Sequence, residues 1–419
     1  MKQYKELEKV FHMDASSSRD ANLQKELDAR LNSESAFRIG YSTPNGELFF
    51  TVPKELSVLN EEVLRAESRI ADLLGQLPEI ARSAVLRSIV LDEVVCTNAI
   101  EDVHSTRRQI KDAMNAVVSG SPKKRRFKEL ATLYLAIIDG TDKPPRTVED
   151  IRSIYDMVTA GEIPQDKLPD GMFFRKEGVD ITAGGVKVIH SGLEPESKII
   201  EALNVMLSLA EDAGIPSLYG SIISHYLFEY THPFYDGNGR TGRYLLSVYL
   251  SRCLSAPTAL SLSRTIAENK DAYYRAFKTV EKPLNHAELT FFLSILLDLV
   301  QTAQYGMIER LNDSISALDN IDDAMDTAEE CKKLKGKEND IVFLLLQYEA
   351  FGLFGDATLP EIAEYLHVGK QQARKYLASM EEKGICEKVS SYNPVTFALT
   401  QEFKNEIGIT STQEADDTL

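Results

Sequence analysis

Apolar residues recur at intervals of three and four along most of the chain, and this spacing predicts a mainly helical fold. Two clear early runs span residues 56–77 and 81–100. Further helices are predicted, in chain order, at residues 127–138, 148–160, 218–230, 240–254, 261–280 and 288–304. We therefore expect most of the chain before residue 305 to be helical.

Two short stretches have a strand-like pattern instead. Residues 47–52 form one of them, and the other consists of residues 179–183 and 186–190, which are joined by Gly184-Gly185. A glycine pair between two β-branched runs is typical of a β-hairpin. This second stretch predicts a hairpin within an otherwise helical region.

The pattern changes beyond Met307. Apolar residues at heptad-like positions continue to Met325, with acidic residues on the other faces, and predict a connecting or dimerising helix. A small domain follows, with helices predicted at 341–348, 358–366 and 370–381 and a two-stranded wing within 383–399. This order of elements resembles a winged helix-turn-helix, whose second helix enters a DNA groove.

The second helix of that small domain has the side chains that such a role requires, namely Lys370, Gln371, Gln372, Arg374 and Lys375. Only three of them are cations, and the chain as a whole is acidic. Because phosphate binding needs a basic face, contact with DNA and contact with a protein are equally good expectations for this domain.

Composition narrows the class of protein. The chain has 419 residues, enough for two or three domains, and its formal net charge of −17 argues against a surface that binds nucleic acid everywhere. The four cysteines have neither zinc-site spacing nor a disulfide framework, and residues 1–20 contain no apolar signal segment. No uninterrupted apolar run approaches the roughly 18 residues of a membrane span. We expect a cytoplasmic protein without a membrane segment.

The densest candidate chemistry lies in residues 232–243, which read HPFYDGNGRTGR. Gly237, Gly239 and Gly242 leave room for backbone N–H groups to approach an anion where the next helix begins. A loop of this kind is an anion-binding nest at the positive end of a helix.

Five side chains in this segment suit a nucleotide polyphosphate. Asn238 can donate its amide to a phosphate oxygen, and Arg240 and Arg243 can bind phosphate bidentately. Asp236 is a hard oxygen ligand suited to Mg²⁺ held between phosphates. His232 is the nearby side chain that can accept a proton near neutral pH. The segment therefore predicts a site for a nucleotide polyphosphate and Mg²⁺.

These residues resemble the signature of the Fic family, His-x-Phe-x-(Asp/Glu)-Gly-Asn-Gly-Arg-x-x-Arg, and match each of its fixed positions. The resemblance implies a Fic-type helical bundle and a protein adenylyltransferase that moves AMP from ATP, with Mg²⁺, to a Ser, Thr or Tyr hydroxyl of a target protein. It implies that His232 is the general base and Asp236 the metal ligand. The nucleotide-binding residues that it implies are Gly237, Asn238, Gly239, Arg240, Thr241, Gly242 and Arg243.

The helix predicted at 81–100 ends in a pattern that the same family uses for inhibition. Thr97 and Glu101 match (Ser/Thr)-x-x-x-Glu-(Gly/Asn), whereas Asp102 stands where Gly or Asn is usual. The resemblance implies an inhibitory helix near 83–103, in which Glu101 pairs with Arg243 in place of the ATP γ-phosphate. The alternative interpretation is an exposed carboxylate at a helix end.

Two more features resemble the family. The predicted hairpin at 179–190 is similar to the flap that holds a target polypeptide by strand addition, although a purely structural hairpin is the alternative. Tyr273 and Tyr274 stand where the family commonly has a tyrosine pair beside the adenine, but a helical tyrosine is equally often a core residue.

The patterns together predict five regions. These are an N-terminal helical region at 1–110, a catalytic core at 111–305, a connecting helix and linker at 306–337, a winged domain at 338–402 and an acidic tail at 403–419. Three alternatives to AMP transfer remain, namely removal of AMP, transfer of another nucleotide or phosphate, and a DNA-binding regulator that senses nucleotide. A homodimer is a further expectation.

Overall fold

The computed structural model describes residues 3–183, 187–209, 212–351, 355–390 and 395–409. The chain divides into two compact units. The first comprises residues 1–68 and 89–307, and the second comprises residues 69–88 and 308–419.

The prediction of a mainly helical fold is confirmed. Up to the motif, the helices are α1 (Leu7–Met13), α2 (Arg19–Leu31), α3 (Lys54–Gln76), α4 (Glu79–Ile100), α5 (Arg107–Val118), α6 (Lys128–Ile138), α7 (Val148–Val158), α8 (Glu196–Leu209) and α9 (Ser217–Thr231). The second half of the motif begins α10 (Asn238–Leu250). It is followed by α11 (Ala256–Ala259), α12 (Leu262–Glu268), α13 (Lys270–Glu281), α14 (Thr290–Thr327), α15 (Glu329–Lys332), α16 (Lys337–Phe351), α17 (Leu359–Tyr365), α18 (Lys370–Glu382) and α19 (Gln401–Glu406).

The described strands form three small antiparallel sheets. Their bounds are β1 (Ala36–Thr43), β2 (Gly46–Thr51), β3 (Asp180–Ala183), β4 (Lys187–Ser191), β5 (Ala357–Thr358), β6 (Cys386–Ser390) and β7 (Thr396–Leu399). Strand β1 pairs with β2 and β3 with β4, while the third sheet has the order β5-β7-β6. The hairpin predicted at 179–190 is therefore present as β3 and β4, although Gly184, Gly185 and Val186 lie outside the described residues.

Helix α9 ends just before His232, and α10 begins within the motif at Asn238. Both helices are buried on nearly all faces, so they lack the single apolar stripe of a surface helix. Helix α8 packs on α9, and α9 packs on α10. The short loop between α9 and α10 is thereby held on a rigid and well-packed support.

Helix α7 forms one wall of the site and has a well-defined start. Thr147 Oγ1 accepts a hydrogen bond from Asp150 N at 3.2 Å, and Asp150 Oδ2 accepts one from Thr147 N at 3.0 Å. This capping box satisfies two backbone donors that the helix would otherwise leave unpaired. The cap fixes the helix register and so places Tyr155, whose ring stacks on Phe234 of the motif with centroids 3.6 Å apart.

One boundary prediction is wrong. The sequence predicted separate helices on either side of Tyr305-Gly306, whereas α14 runs without a break from Thr290 to Thr327. A glycine inside a helix costs only about 1 kcal/mol relative to alanine. Apolar residues of α14 on both sides of Gly306 are buried, and this packing outweighs that cost.

By length and composition alone, α14 could cross a membrane, and 56% of its apolar window is buried within the structure. The core helix of a protein in water passes the same test, so this feature is weak evidence for a membrane span.

The second unit has its own core, in which Leu345, Ile362, Leu377 and Phe397 are buried together. The helices and the β6–β7 pair occur in the predicted order, and a winged helix-turn-helix stays a prediction. The five polar side chains that the sequence analysis named on α18 are all exposed, namely Lys370, Gln371, Gln372, Arg374 and Lys375.

The core role of α14 can be tested with two substitutions on that helix. Leu297 is fully buried and Tyr305 is 57% exposed. We expect Leu297→Ala to lower the free energy of unfolding by about 2–5 kcal/mol, because it leaves a cavity. Tyr305→Ala should change it by less than about 0.5 kcal/mol. Urea unfolding followed by circular dichroism measures both values, and equal losses would contradict the assigned packing.

Candidate active site

His232 ends α9 in a left-handed backbone conformation, with φ 48° and ψ 62°. Such a conformation is uncommon for a residue with a side chain. The buried Arg175 holds it in place, because its Nε donates to His232 O at 2.9 Å and its backbone N–H donates to Pro233 O at 3.2 Å. The main chain on both sides of the imidazole is therefore fixed from outside the motif.

The imidazole of His232 is neutral near pH 7. Burial, and then the charges of His190 and Arg175, lower the pKa of His232 to about 3. Its Nδ1 is buried and has no hydrogen-bond partner among the described residues. A neutral ring can accept a proton, and the role of general base stays a prediction.

The loop after His232 closes through Asn238. Asn238 Oδ1 accepts a hydrogen bond from Phe234 N at 2.9 Å, and Asn238 Nδ2 donates to Phe234 O at 2.7 Å. One of the two amide N–H groups of Asn238 is thus used within the loop, and donation to a phosphate stays a prediction. Gly237 has φ 83°, and a Cβ there would lie 2.6 Å from Thr159 Cγ2, so a larger residue would not fit.

Glu101 and Arg243 form an ion pair at the start of α10. Arg243 Nη1 donates to Glu101 Oε1 at 2.9 Å. The same carboxylate oxygen would lie only 2.1 Å from a Cβ on Gly239. The carboxylate thus rests directly against Gly239, in the place where the sequence predicted an anion.

Thr97 completes the environment of Arg243. The Thr97 hydroxyl accepts from Arg243 Nε at 2.9 Å, and the Thr97 carbonyl accepts from Arg243 Nη2 at 3.0 Å. With Glu101 on Nη1, each nitrogen of this buried guanidinium has an acceptor on α4 or directly after it. The two residues predicted to be inhibitory therefore both contact the last motif arginine.

Asp236 is the candidate metal ligand, and its side chain is 44% exposed. Its Oδ1 accepts from Gly237 N at 2.7 Å, and its Oδ2 lies 3.5 Å from Lys167 Nζ. Within the part of the chain that the structure describes, no group of three or more His, Cys, Asp or Glu side chains could hold a metal ion. An ion at Asp236 would therefore need oxygen ligands from a bound phosphate or from water.

The other predicted residues of α10 are fixed within the protein. Thr241 Oγ1 donates to Gly237 O at 2.9 Å and so ties the helix to the loop. Arg240 is buried, and its Nη1 donates to Glu162 Oε2 at 3.0 Å. Nothing in the sequence pattern indicated Glu162, which lies in the loop after α7.

The two tyrosines of α13 have different surroundings. Tyr273 is buried and its hydroxyl lies 2.7 Å from His225 Nε2, whereas Tyr274 is 41% exposed. His225 Nδ1 lies 3.1 Å from Gly242 O, and a carbonyl can only accept, so Nδ1 carries the proton and Nε2 accepts from Tyr273. Burial lowers the pKa of His225 to about 3, which agrees with this neutral form. Tyr273 is a core residue here, and Tyr274 is the more accessible candidate for contact with adenine.

The hairpin is anchored beside the end of α9 through His190 of β4. The two ring nitrogens of His190 lie 3.0 Å from Glu281 Oε2 and 2.8 Å from Tyr230 O. Burial alone would lower the pKa of His190, but the hydrogen bond and charge of Glu281 raise it above its ordinary value. Both partners are acceptors, so a protonated ring satisfies them best.

Glu229 is a buried acid that the sequence analysis missed. Its Oε1 is buried without a hydrogen-bond partner among the described residues, and it would lie 2.1 Å from a Cβ on Gly242. Burial raises the pKa of Glu229 to about 8, although the nearby Arg243 lowers it in part. A side chain at position 242 would require the Glu229 carboxyl and the Phe228 ring to shift.

Glu229 should make stability depend on pH. The folded chain holds a proton on Glu229 between its ordinary pKa of 4.5 and about 8, and the unfolded chain has released it. The free energy of unfolding therefore falls as pH rises through this interval. We expect Glu229→Gln to raise the midpoint of thermal unfolding by at least about 2 °C at pH 8, and by much less at pH 5.

Thermal unfolding at pH 5, 6.5 and 8 measures this difference. Glu201→Gln, at an exposed position on α8, is the matched control and should not change the slope. If the wild type and Glu229→Gln lost stability equally between pH 5 and pH 8, Glu229 would be ionised in the folded chain.

Three solved structures of other proteins are similar to this chain. A Fic family protein from Desulfovibrio desulfuricans is 19% identical, with coverage of 86% of this chain and 99% of that chain and a TM-score of 0.49. Fic-1 (residues 134–508) from C. elegans is 16% identical, with coverage of 74% and 82% and a TM-score of 0.45. A Fic domain containing signaling protein from Bacteroides thetaiotaomicron is 20% identical, with coverage of 61% and 95% and a TM-score of 0.40.

The family comparison is more direct. The model of the Fic/DOC family matches residues 145–250. This interval contains α7, the hairpin and the whole motif from His232 to Arg243, while Thr97 and Glu101 precede it. The chain therefore contains a Fic/DOC family domain at residues 145–250.

Proposed function

We propose that this protein is a protein adenylyltransferase that is inhibited by its own Glu101. The observation that carries the proposal is the position of the Glu101 carboxylate, 2.9 Å from Arg243 Nη1 and directly against Gly239. A carboxylate held by a buried arginine at a helix N-terminus marks a site built for an anion. A terminal phosphate of ATP has the charge and the oxygen atoms to replace it.

ATP is the substrate in this proposal, and different residues of the motif would bind its different phosphates. Arg243 would bind the γ-phosphate after Glu101 leaves, and Arg240 would bind the pyrophosphate that departs. The backbone of residues 237–239 would contact the remaining phosphate oxygens at the positive end of α10. Asn238 contributes by shaping this loop, because its amide is bonded to Phe234.

Asp236 would hold Mg²⁺ together with the phosphates. Its half-exposed carboxylate fits that role, since Oδ1 is bonded to Gly237 N and Oδ2 lies 3.5 Å from Lys167 Nζ. Mg²⁺ would neutralise charge that develops on the phosphate oxygens. No larger protein-made metal site is needed for such an ion.

His232 would act as general base on the target hydroxyl. The hydroxyl oxygen of a Ser, Thr or Tyr side chain bonds to the α-phosphorus, and its proton passes to the neutral imidazole. The bond from the α-phosphorus to the pyrophosphate oxygen breaks, and pyrophosphate leaves. The low pKa of His232 keeps the ring unprotonated before the reaction, and Arg175 fixes the main chain at His232.

The target polypeptide would bind along the hairpin. Strands β3 and β4 pair only with each other among the described residues, so each has an outer edge that can bond to an extended peptide. His190 ties β4 to the carbonyl of Tyr230, two residues before His232. A peptide added to this hairpin would therefore lie near the base.

Glu101→Gly tests the proposal in a self-modification assay with labelled ATP and Mg²⁺. The charge-assisted hydrogen bond that it removes is worth about 1.5–3 kcal/mol. We expect about tenfold or more label in Glu101→Gly than in the wild type, and none when His232→Ala is added. Asp102→Gly is the matched control, because it removes the adjacent carboxylate at a residue with φ 56° and leaves the Glu101–Arg243 pair intact.

Two outcomes would contradict the proposal. Equal labelling of the wild type and Glu101→Gly would show that Glu101 does not inhibit. Absence of label from every variant, with ATP still bound, would favour removal of AMP or transfer of another nucleotide or phosphate.

A second candidate function is regulation through DNA. The exposed residues Gln371, Gln372, Arg374 and Lys375 on α18 favour it, because amide and cationic side chains suit base edges and phosphates. In this account the Fic pocket would sense nucleotide, and a winged domain would bind the duplex.

This candidate has its own test in a DNA-binding assay on the full chain at fixed salt. We expect Arg374→Ala to weaken binding at least about fivefold, since one cationic contact is lost. His232→Ala and Glu381→Ala should leave binding unchanged; Glu381 is an exposed acid on the same helix and serves as the control. A wild-type chain that binds no duplex would exclude this candidate.

A further inference from the structure

Arg240 has an unusual set of contacts for a buried cation. The residue is only 2% exposed, and its Nη1 donates to Glu162 Oε2 at 3.0 Å. Its Nε is buried and makes no hydrogen bond to any described residue, and no such bond is made by Nη2. Leaving a buried donor unpaired costs about 1–3 kcal/mol, so this free edge of the guanidinium is expected to have a ligand.

The free edge has the geometry that a phosphate requires. In a guanidinium group, the N–H of Nε and one N–H of Nη2 point in the same direction and can bind two oxygens of one anion. The bond from Glu162 is made at Nη1, on the other side of the group. Glu162 can therefore hold Arg240 without covering the edge that would bind phosphate.

Glu162 is itself held firmly. Its side chain is 7% exposed, and its second oxygen accepts from Arg126 Nε at 2.5 Å. Arg126 Nη1 also donates to His104 O at 2.9 Å, and the Arg126 guanidinium lies over the Phe127 ring at 4.2 Å. The carboxylate is thus held from both sides, by Arg240 on one oxygen and by Arg126 on the other.

The loop that carries Glu162 also contacts the motif. A Cβ on Gly237 would meet Thr159, Tyr155 and Ile163, which lie in α7 and the loop after it. Because the loop contacts Gly237 while Glu162 bonds Arg240, both ends of the first turn of α10 are fixed by the same segment.

We propose that Glu162 is a positioning residue that orients Arg240 for the phosphates of a nucleotide. The inference rests on the proposed function for the identity of the nucleotide. An arginine side chain has several rotatable bonds, and restricting them in advance lowers the entropy lost when phosphate binds. If the Glu162 carboxylate instead competed with phosphate for Arg240, removing its charge would tighten nucleotide binding rather than weaken it.

The test is equilibrium binding of Mg²⁺–ATP to the full chain by calorimetry. All proteins carry Glu101→Gly and His232→Ala, so that the anion site is open and no transfer occurs. In this background we expect Glu162→Gln to weaken binding at least about tenfold. Glu162→Asp retains the charge and should lose less affinity than Glu162→Gln does.

Glu67→Gln is the matched control. Glu67 accepts hydrogen bonds from Ser255, Thr258 and Gln304, none of which belongs to the motif. We expect this substitution to leave the affinity for Mg²⁺–ATP within twofold, even where it lowers thermal stability. A loss of affinity equal to that of Glu162→Gln would assign the effect to general destabilisation and overturn the inference.

A double-mutant cycle with Arg240→Gln tests whether Glu162 affects nucleotide affinity through Arg240. If Glu162 acts through Arg240, then adding Glu162→Gln to Arg240→Gln causes no further loss of affinity. The double variant removes both buried charges together, so it should be less destabilised than a single variant that leaves one buried charge unpaired. An equal further loss in both backgrounds would overturn the inference.

The remaining outcomes are also decisive. If Glu162→Gln does not fold, Glu162→Asp carries the test, and a loss of at least about threefold supports the inference. Unchanged or tighter binding in a folded Glu162 variant overturns it and leaves the proposed function intact. A background chain that binds no Mg²⁺–ATP contradicts the proposed function and the inference together.

Discussion

The buried guanidinium of Arg243 needs a full set of acceptors, because an unpaired charge inside a protein costs several kcal/mol. The last turn of α4 and the residue after it supply them through Thr97 and Glu101. Gly239 makes this possible, since any Cβ there would collide with the carboxylate. A nucleotide that enters this site must offer Arg243 oxygens at least as good as those it displaces.

The two motif arginines differ in what they offer a ligand. Every nitrogen of Arg243 is bonded to Thr97 or Glu101, whereas Arg240 has one bonded nitrogen and a free edge within the part of the chain that the structure describes. We infer that only one of the two arginines can bind an anion while Glu101 is in place. Glu162 orients Arg240 with its other edge free, whereas Glu101 occupies the position beside Arg243 that a phosphate would take. Binding of the terminal phosphate is then the step that depends on removing Glu101.

The sequence predicted the motif residues because their types and spacing match the needs of phosphate and proton chemistry. It also predicted the contact of Glu101 with Arg243, through resemblance to the family. It did not predict Glu162 or Glu229, since each acts through tertiary contacts that leave no local pattern. The sequence also did not predict that Asn238 bonds Phe234 of its own loop, at 2.9 and 2.7 Å, and its donation to a phosphate stays a prediction. The prediction of two separate helices around Gly306 was wrong, because buried apolar residues on both sides of that glycine stabilise one continuous helix.

The most direct test of the account is a crystal structure of the Glu101→Gly chain with Mg²⁺ and a non-hydrolysable ATP analogue. The account predicts a phosphate oxygen within hydrogen-bond distance of Arg243 Nη1, in the space beside Gly239 that Glu101 Oε1 occupies in the wild type. Phosphates bound away from Arg243, or a nucleotide outside the loop at residues 232–243, would contradict it.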